Sequence, residues 1–310
     1  MRVLVTGGAG FIGSNLVALL LKNNIKVRVL DDLSTGYVEN LEGLDCEFIE
    51  GTILEPKTCE TAAKNCDAIV HLAALGSVPR SIDDPIRTHE VNVTGTLNML
   101  EAARLNLSHF TFASSSSVYG YVETLPREEN LPTRPSSPYG ASKLSAEAYV
   151  LSYAKSFNLK VMSLRFFNVY GPKQSAGHAY AAVIPNFINA ALNEDSLYVD
   201  GDGEQTRDFT FVDSVTDIIL QSIQETKHSD IPINLALGSS TSINELIVLI
   251  ENQLGITLNV KNRDGRIGDV KRSPSNPERL FSVFPHVKSV DIEEGLSAAI
   301  TWYEKRLGNS

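Results

Sequence analysis

The two residues best suited to chemistry are Tyr139 and Lys143, four positions apart in the segment SPYGASKLSAEAYV. The segment carries a helical pattern, and this spacing puts both side chains on one face. A phenol with an ordinary pKa of ~10 is a poor base at neutral pH, but a neighbouring ammonium favours its phenolate, and every tenfold gain in that balance corresponds to about 1.4 kcal/mol. A phenolate held in this way can take a proton from an alcohol. A second hydroxyl source is the serine run of HFTFASSSSVYG, residues 109–120. It follows an apolar strand pattern, so its serines fall at the strand's carboxyl end, where a hydroxyl can share the same proton. Taken singly, the first motif reads as a surface helix and the second as a polar loop.

A glycine loop gives the pair a partner. Residues 2–13, RVLVTGGAGFIG, place Gly7, Gly10 and Gly13 between an apolar strand and an amphipathic helix. Glycines there permit a tight turn and let backbone N–H groups approach a pyrophosphate at the helix N-terminus. The next strand ends in Asp31 and Asp32, about 20 residues beyond the turn, where a carboxylate accepts both ribose hydroxyls and repels a 2′-phosphate. The spacing therefore predicts NAD rather than NADP, against the plainer reading of Asp31 as a strand cap. A bound nicotinamide would add its own positive charge beside Tyr139.

The elements that must position these groups alternate. Strands are expected near 2–6, 26–30, 46–50, 67–72, 108–114 and 160–166, with helices near 11–22, 85–105 and 138–157. Continuous apolar runs rather than period-two alternation predict a parallel sheet covered on both faces: an α/β, doubly wound Rossmann fold. Beyond Gly171 the pattern loosens, with helices expected near 180–192, 212–225, 242–254 and 291–306 and a Gly/Asp-rich turn at 200–204. The expected division is a Rossmann domain over 1–171 and a smaller α/β substrate-binding domain over 172–310, with part of 209–238 returning to the sheet.

Composition narrows the function. The chain has 310 residues, 43% hydrophobic and 21% charged, enough for a sizeable core. A formal net charge of -10 opposes nucleic-acid binding, which draws on accumulated Lys and Arg. Apolar stretches such as Leu16 to Leu21 fall far short of the roughly 20 residues of a membrane span, and a strand pattern begins at Arg2, so a cytoplasmic protein is expected. Cys46, Cys59 and Cys66 form neither an even disulfide set nor a zinc-like cluster, and the six histidines are scattered without paired helical spacing, so no metal site is expected.

The strings VTGGAGFIG, SSSSVYG, YGASK, RFFNVYGP (165–172) and GDGEQTRDFTFVD (201–213) together resemble the extended short-chain dehydrogenase/reductase family of nucleotide-sugar epimerases and dehydratases, over nearly the whole chain. HLAALGSVPRSIDDP (71–85) and AYAAVIPNF (179–187) resemble its UDP-N-acetylglucosamine 4-epimerase branch. The resemblance implies Ser115 as catalytic serine, Tyr139 as base and Lys143 as its helper. It implies NAD contacts from Gly7, Gly10, Phe11, Ile12 and Gly13, from Asp31, Asp32 and Ser34, from Thr52 and Ile53, from Leu72, Ala73 and Ala74, and from Tyr139 and Lys143. Thr52 stands where relatives place an aspartate against adenine. Asn168, Arg207 and Arg266 match groups that hold the diphosphate, Asp269 a uridine-ribose acceptor, and Tyr198 an aromatic against uracil. Gly76, Ser77, Ser116, Gln174 and Val183 are expected along the sugar pocket, and a small Ser273 would leave room for an acetamido group. For Tyr198 and Gln174, core filler and solvated polar residue are the alternative readings.

The function implied is reversible inversion at carbon 4 of a UDP-sugar, UDP-GlcNAc to UDP-GalNAc, through a 4-keto sugar that swings about its diphosphate link. Precursor supply for polysaccharides follows from the same resemblance, as does a homodimer built on a four-helix bundle from residues 85–105 and 138–157. UDP-glucose/UDP-galactose 4-epimerisation is the nearest alternative. Dehydratases and decarboxylases on this scaffold carry Asp or Glu just after the catalytic hydroxyl, where this chain has Ser116 and Ser117. A hydroxyl does not do carboxylate acid/base work at pH 7. A non-catalytic NAD-binding regulator is the third reading, since folds do not fix functions.

Overall fold

The computed structural model describes residues 1–106, 108–176, 181–264 and 274–308. The six expected strands are present and a seventh joins them: β1 (Arg2–Thr6), β2 (Lys26–Asp31), β3 (Glu47–Glu50), β4 (Ala68–His71), β5 (His109–Ser115), β6 (Val161–Phe166) and β7 (Ile233–Leu235). They form one sheet in the order β7-β6-β5-β4-β1-β2-β3, with every neighbouring pair parallel. All of β1 after Arg2 and all of β4 are buried, which is why the sequence shows continuous apolar runs there; β5 (HFTFASS) is equally buried although its residues alternate. The doubly wound α/β fold expected from the sequence is the fold observed. Its strand order reverses between β1 and β4, and the crevice outside their carboxyl ends is where such sheets take ligands.

Helices cover both faces. In chain order they are α1 (Phe11–Lys22), α2 (Pro56–Ala63), α3 (Val78–Asp83), α4 (Pro85–His89), α5 (Gly95–Asn106), α6 (Pro138–Phe157), α7 (Val183–Leu192), α8 (Val212–Gln224), α9 (Ile243–Leu254), α10 (Glu278–Val283) and α11 (Ile292–Gly308). One core joins α1 and α8 to the sheet through Leu16, Leu20, Val215 and Ile219. The opposite core joins α2, α5 and α6 through Cys59, Met99, Leu100, Ala146 and Val150, against Phe110 and Phe112 of β5. A third core gathers α7, α9 and α11 around Ile188, Leu246 and Leu296. Short pairings flank it: Val169–Tyr170 with Thr210–Phe211, Thr206–Arg207 with Thr241–Ser242, and Leu197–Asp200 with Val260–Arg263.

Several elements differ from expectation, each for a local reason. The helix expected over 85–105 is present as a continuous run, α4 passing through a π-helical turn at Glu90–Thr94 into α5, and it is preceded by the separate, unexpected α3. Pro85 excludes Asp84 from helical geometry, and Asp84 instead caps the Arg87 N–H at 2.9 Å. The helix expected from 180 starts at Val183. Helix α2, at eight residues, and strand β7, at three, are too short to impose a period. No helix among the described residues is long and apolar enough to cross a membrane.

Phe110, fully buried between the sheet and α5/α6, tests the core. Phe110→Ala is expected to cost about 3–5 kcal/mol, read as a lowered midpoint in chemical denaturation. A loss under about 1 kcal/mol contradicts this packing.

Candidate active site

A cavity of about 750 Å³ opens outside the carboxyl ends of β1 and β4, walled by the glycine loop, the segments after β2, β4 and β5, the start of α6, the turn at 166–175 and the start of α7. Its construction begins at the glycines. Gly7 adopts φ +68°, and a Cβ there would stand 2.8 Å from the Ala73 nitrogen. At Gly13 a Cβ would stand 2.1 Å from the Gly7 carbonyl oxygen, so neither position accepts a side chain. The turn closes through Gly10 N–H donating to the Gly7 carbonyl at 3.1 Å. Gly10 is the N-cap of α1 and offers no side-chain acceptor, which leaves the first turn, Phe11, Ile12 and Gly13 on the cavity wall, with backbone N–H groups that an anionic diphosphate would satisfy.

Asp31 ties the loop to β2. Its Oδ2 accepts from the Ala9 N–H and its Oδ1 from the Leu33 N–H, both at 2.9 Å. Burial pushes the carboxyl up, opposed by these two backbone donors. An ionised carboxylate has about four acceptor sites, so two remain for ribose hydroxyls. Asp32 accepts from the Ser34 N–H at 3.0 Å and shapes the same rim. Dimensions, donors and acceptor charge all fit a dinucleotide of the NAD type.

On the opposite wall, the Ser137 hydroxyl caps α6 by accepting from Gly140 N–H at 3.1 Å, with Pro138 in the first turn. The Tyr139 N–H, another first-turn donor, goes to Ser81 Oγ at 3.0 Å, and the Tyr139 carbonyl accepts from Ser142 Oγ at 2.8 Å. Asn92, in the π-helical turn, donates to Ser142 Oγ at 3.0 Å and accepts from the Leu75 N–H at 2.8 Å. The base candidate is thus fixed by its backbone before its phenol meets anything. The phenol is hydrogen-bonded with Ser115, whose Oγ also accepts from the Ser117 N–H at 3.1 Å.

The electrostatics differ from the expectation that Lys143 depresses the Tyr139 phenol. Burial pushes the phenol up, and the Ser115 hydrogen bond draws it back. Lys143 Nζ is itself engaged, donating to the Ala113 carbonyl at 2.8 Å and lying 5.2 Å from the Phe112 ring centroid. Burial draws its pKa down to about 8. His71, between the hydroxyls of Thr6 and Thr96 at 2.7 and 3.0 Å, is held neutral, its pKa lowered to about 3 by burial and then by the Lys143 charge.

The cavity gathers Gly7, Gly10, Phe11, Ile12, Gly13, Asp31, Asp32, Ser34, Ile53, Leu72, Ala73, Ala74, Gly76, Ser77, Ser115, Ser116, Tyr139, Lys143, Asn168, Gln174 and Val183. Three expected residues do not line it. Thr52 turns inward on its own loop, its Oγ1 accepting from the Leu54 N–H at 3.3 Å. Arg207 lies on the Thr206–Arg207 pairing, donating to the Thr206 carbonyl at 2.9 Å. Tyr198 is 53% exposed, flanked by Lys261 and Arg263, each 5.9 Å from its ring centroid. Arg266, Asp269 and Ser273 lie outside the described residues. Among the described residues no group of His, Cys, Asp or Glu is arranged to hold a metal.

Sequence reasoning missed Tyr37, Asn40, Arg80 and Lys173, all on the cavity wall. Lys173, at φ +69°, reaches from the turn after β6 to the Asn40 carbonyl at 2.8 Å. Its signal was the G-P-K turn itself, where a residue beyond Pro172 is forced out of the strand.

Lys143 supplies a pH test. Its folded pKa of about 8 lies below the ordinary 10.5, so between those values the unfolded chain binds a proton that the folded chain has released. Stability from this group is therefore lowest below pH 8 and rises with pH across the window. Lys143→Met, with no charge to desolvate, is expected to raise the melting temperature at about pH 7 and to lose that advantage as pH approaches 10.5. A lower melting temperature at neutral pH contradicts desolvation as the dominant effect.

The same architecture occurs in known proteins. The model of the NAD dependent epimerase/dehydratase family matches residues 3–238. The UDP-glucose 4-epimerase of Mycolicibacterium smegmatis is 36% identical over 313 residues, covering 99% of both chains. A UDP-N-acetylglucosamine 4-epimerase from Methanobrevibacter ruminantium M1, solved in complex with UDP-N-acetylmuramic acid, superposes with a TM-score of 0.93 at 37% identity, covering 98% of both chains. The Thermus thermophilus UDP-glucose 4-epimerase, solved with NAD, superposes with a TM-score of 0.90 at 34% identity, covering 98% of this chain and 99% of that one. With its glycine loop, its Asp31 acceptor and a match over most of its length, the chain belongs to the NAD-dependent epimerase/dehydratase family.

Proposed function

We propose that the protein is a UDP-N-acetylglucosamine 4-epimerase, interconverting UDP-GlcNAc and UDP-GalNAc with NAD held throughout the cycle. The observation that carries the reading is one cavity in which Tyr139, hydrogen-bonded with Ser115, faces the glycine loop and Asp31. Tyr139 takes the proton of the sugar's 4-hydroxyl with Ser115 bridging, and returns it after the sugar has turned. Lys143 and a bound nicotinamide would together supply the positive charge that makes the phenolate accessible. A bound nicotinamide supplies reversible acceptance of the hydride on carbon 4. Asn168, on the cavity wall, and Arg266 would anchor the diphosphate, so that binding energy rests on the nucleotide and the sugar stays free to present either face.

Two features support an acetylated hexose. Gly76 lines the cavity, and a Cβ there would meet nothing within 4 Å, which leaves room for an acetamido group. Gln174 donates to the Val169 carbonyl at 3.1 Å while its buried Oε1 has no partner among the described residues, the acceptor an acetamido N–H needs. The 36% identity to the M. smegmatis UDP-glucose 4-epimerase favours UDP-glucose as the second reading. The proposed homodimer would bury the outward apolar residues Ile86 of α4, Leu105 of α5 and Tyr149 of α6, which are 72%, 61% and 42% exposed.

Incubation of the purified protein, without added NAD, with UDP-GlcNAc and with UDP-glucose is expected to convert the acetylated sugar faster, read from the anomeric proton signals. Equal or faster conversion of UDP-glucose overturns the substrate choice. Tyr139→Phe is expected to lose turnover by at least about a thousandfold while still binding UDP and NAD; unaltered turnover ends the mechanism. Sedimentation is expected to show a dimer that Tyr149→Asp weakens, and a monomeric wild type contradicts the assembly.

A further inference from the structure

We infer that Glu147 and Ser114 are positioning residues for the reacting hydroxyls, an inference that rests on the epimerase reading above. Tyr139, Lys143 and Glu147 follow one another at intervals of four along α6 and so share a face. The first two reach the cavity, while Glu147, one turn further on, is 2% exposed. There its Oε2 accepts from Ser114 Oγ at 2.6 Å and from Arg165 Nε at 3.0 Å, and its Oε1 accepts from an Arg165 terminal nitrogen at 2.6 Å.

Ser114 and Arg165 are register partners across β5 and β6, and the next pair is Ser115 with Phe166. One carboxylate therefore joins the helix that bears the base to the strand that bears the serine, one residue from the serine itself. Arg165 is held in turn: its guanidinium lies 4.7 Å from the Tyr119 ring centroid, Arg127 lies 5.5 Å from the same ring, and the Tyr119 hydroxyl donates to Asn234 Oδ1 on β7 at 2.7 Å. A buried ion pair adds little net stability over apolar packing of the same volume. Its directional bonds fix a distance that apolar contacts leave soft. The distance at stake is that between the Ser115 and Tyr139 hydroxyls, whose hydrogen bond draws the phenol down against burial.

Ser114→Ala removes one hydroxyl and leaves the Glu147–Arg165 pair intact. In the NAD-containing protein it is expected to lower kcat about tenfold with KM within about twofold, to keep the melting temperature within about 2 °C, and to displace the limb of the kcat–pH profile that reports the base toward higher pH. Ser114→Thr, which restores a hydroxyl, is expected to return the limb. Titration of the Tyr139 phenol, read from its ζ-carbon resonance in labelled protein and assigned with Tyr139→Phe, is expected to move upward in Ser114→Ala whether or not a sugar turns over. A wild type that epimerises neither sugar overturns the functional reading, while the titration still decides this one. An unshifted phenol in Ser114→Ala, or a loss of kcat matched by a loss of melting temperature with no shift, overturns the positioning role.

Discussion

A lysine buried at 4% exposure beneath the carboxyl edge of the sheet is the constraint around which the rest is arranged. Its ammonium donates to the Ala113 carbonyl of β5, and its charge is the nearest help available to a phenol that burial alone keeps protonated. Holding such a charge out of water is costly, which is why the helix that carries it is tied down so heavily. Ser137 caps it, Ser81 takes a further first-turn amide, and Glu147 locks the helix to β5 and β6 through Ser114 and Arg165. With His71 kept neutral, the positive field at this edge comes from Lys143 rather than from a titrating imidazole.

The cavity divides its work between a tight half and a loose half. Around the glycine loop a Cβ has no room at Gly7 or Gly13, and Asp31 fixes the loop through Ala9 while keeping acceptor capacity. Around Gly76 the space is open. An enzyme that must let its sugar turn over needs this asymmetry: strong, directional contacts on the nucleotide and few on the hexose. Lys173, bridging from the turn after β6 to Asn40, and Asn15, donating to the Pro172 carbonyl at 3.0 Å, stitch that turn to the tight half.

Much of this was legible in the sequence because it is local. Glycine spacing, the buried runs of β1 and β4, and the four-residue interval from Tyr139 to Lys143 are local signals that survive without tertiary knowledge. The start of the 85–105 helix was signalled by Pro85, but its π-helical turn, which aims Asn92 at Ser142 and Leu75, depends on packing against α6. Strand β7 is three residues long and pairs with a strand far earlier in the chain, β6, so the expected return of part of 209–238 to the sheet carried no bounds for it. Thr52 and Tyr198 were placed by resemblance, which assigns a position but not a rotamer: the hydroxyl of Thr52 closes its own turn, and Tyr198 stands exposed on its strand. The fall in phenol pKa was expected from Lys143 together with a nicotinamide; in the protein alone burial pushes the phenol up, opposed by the Ser115 hydroxyl.

The central claim is that the phenol of Tyr139, raised by burial in the protein alone, becomes a base when a positive charge is added beside it. Its most direct test is the titration of that phenol in wild-type protein freed of nucleotide, and then after saturation with NAD. The expected result is a pKa above the ordinary ~10 of a phenol in the first and a marked fall toward neutrality in the second. A phenol that titrates at the same pH in both contradicts the account.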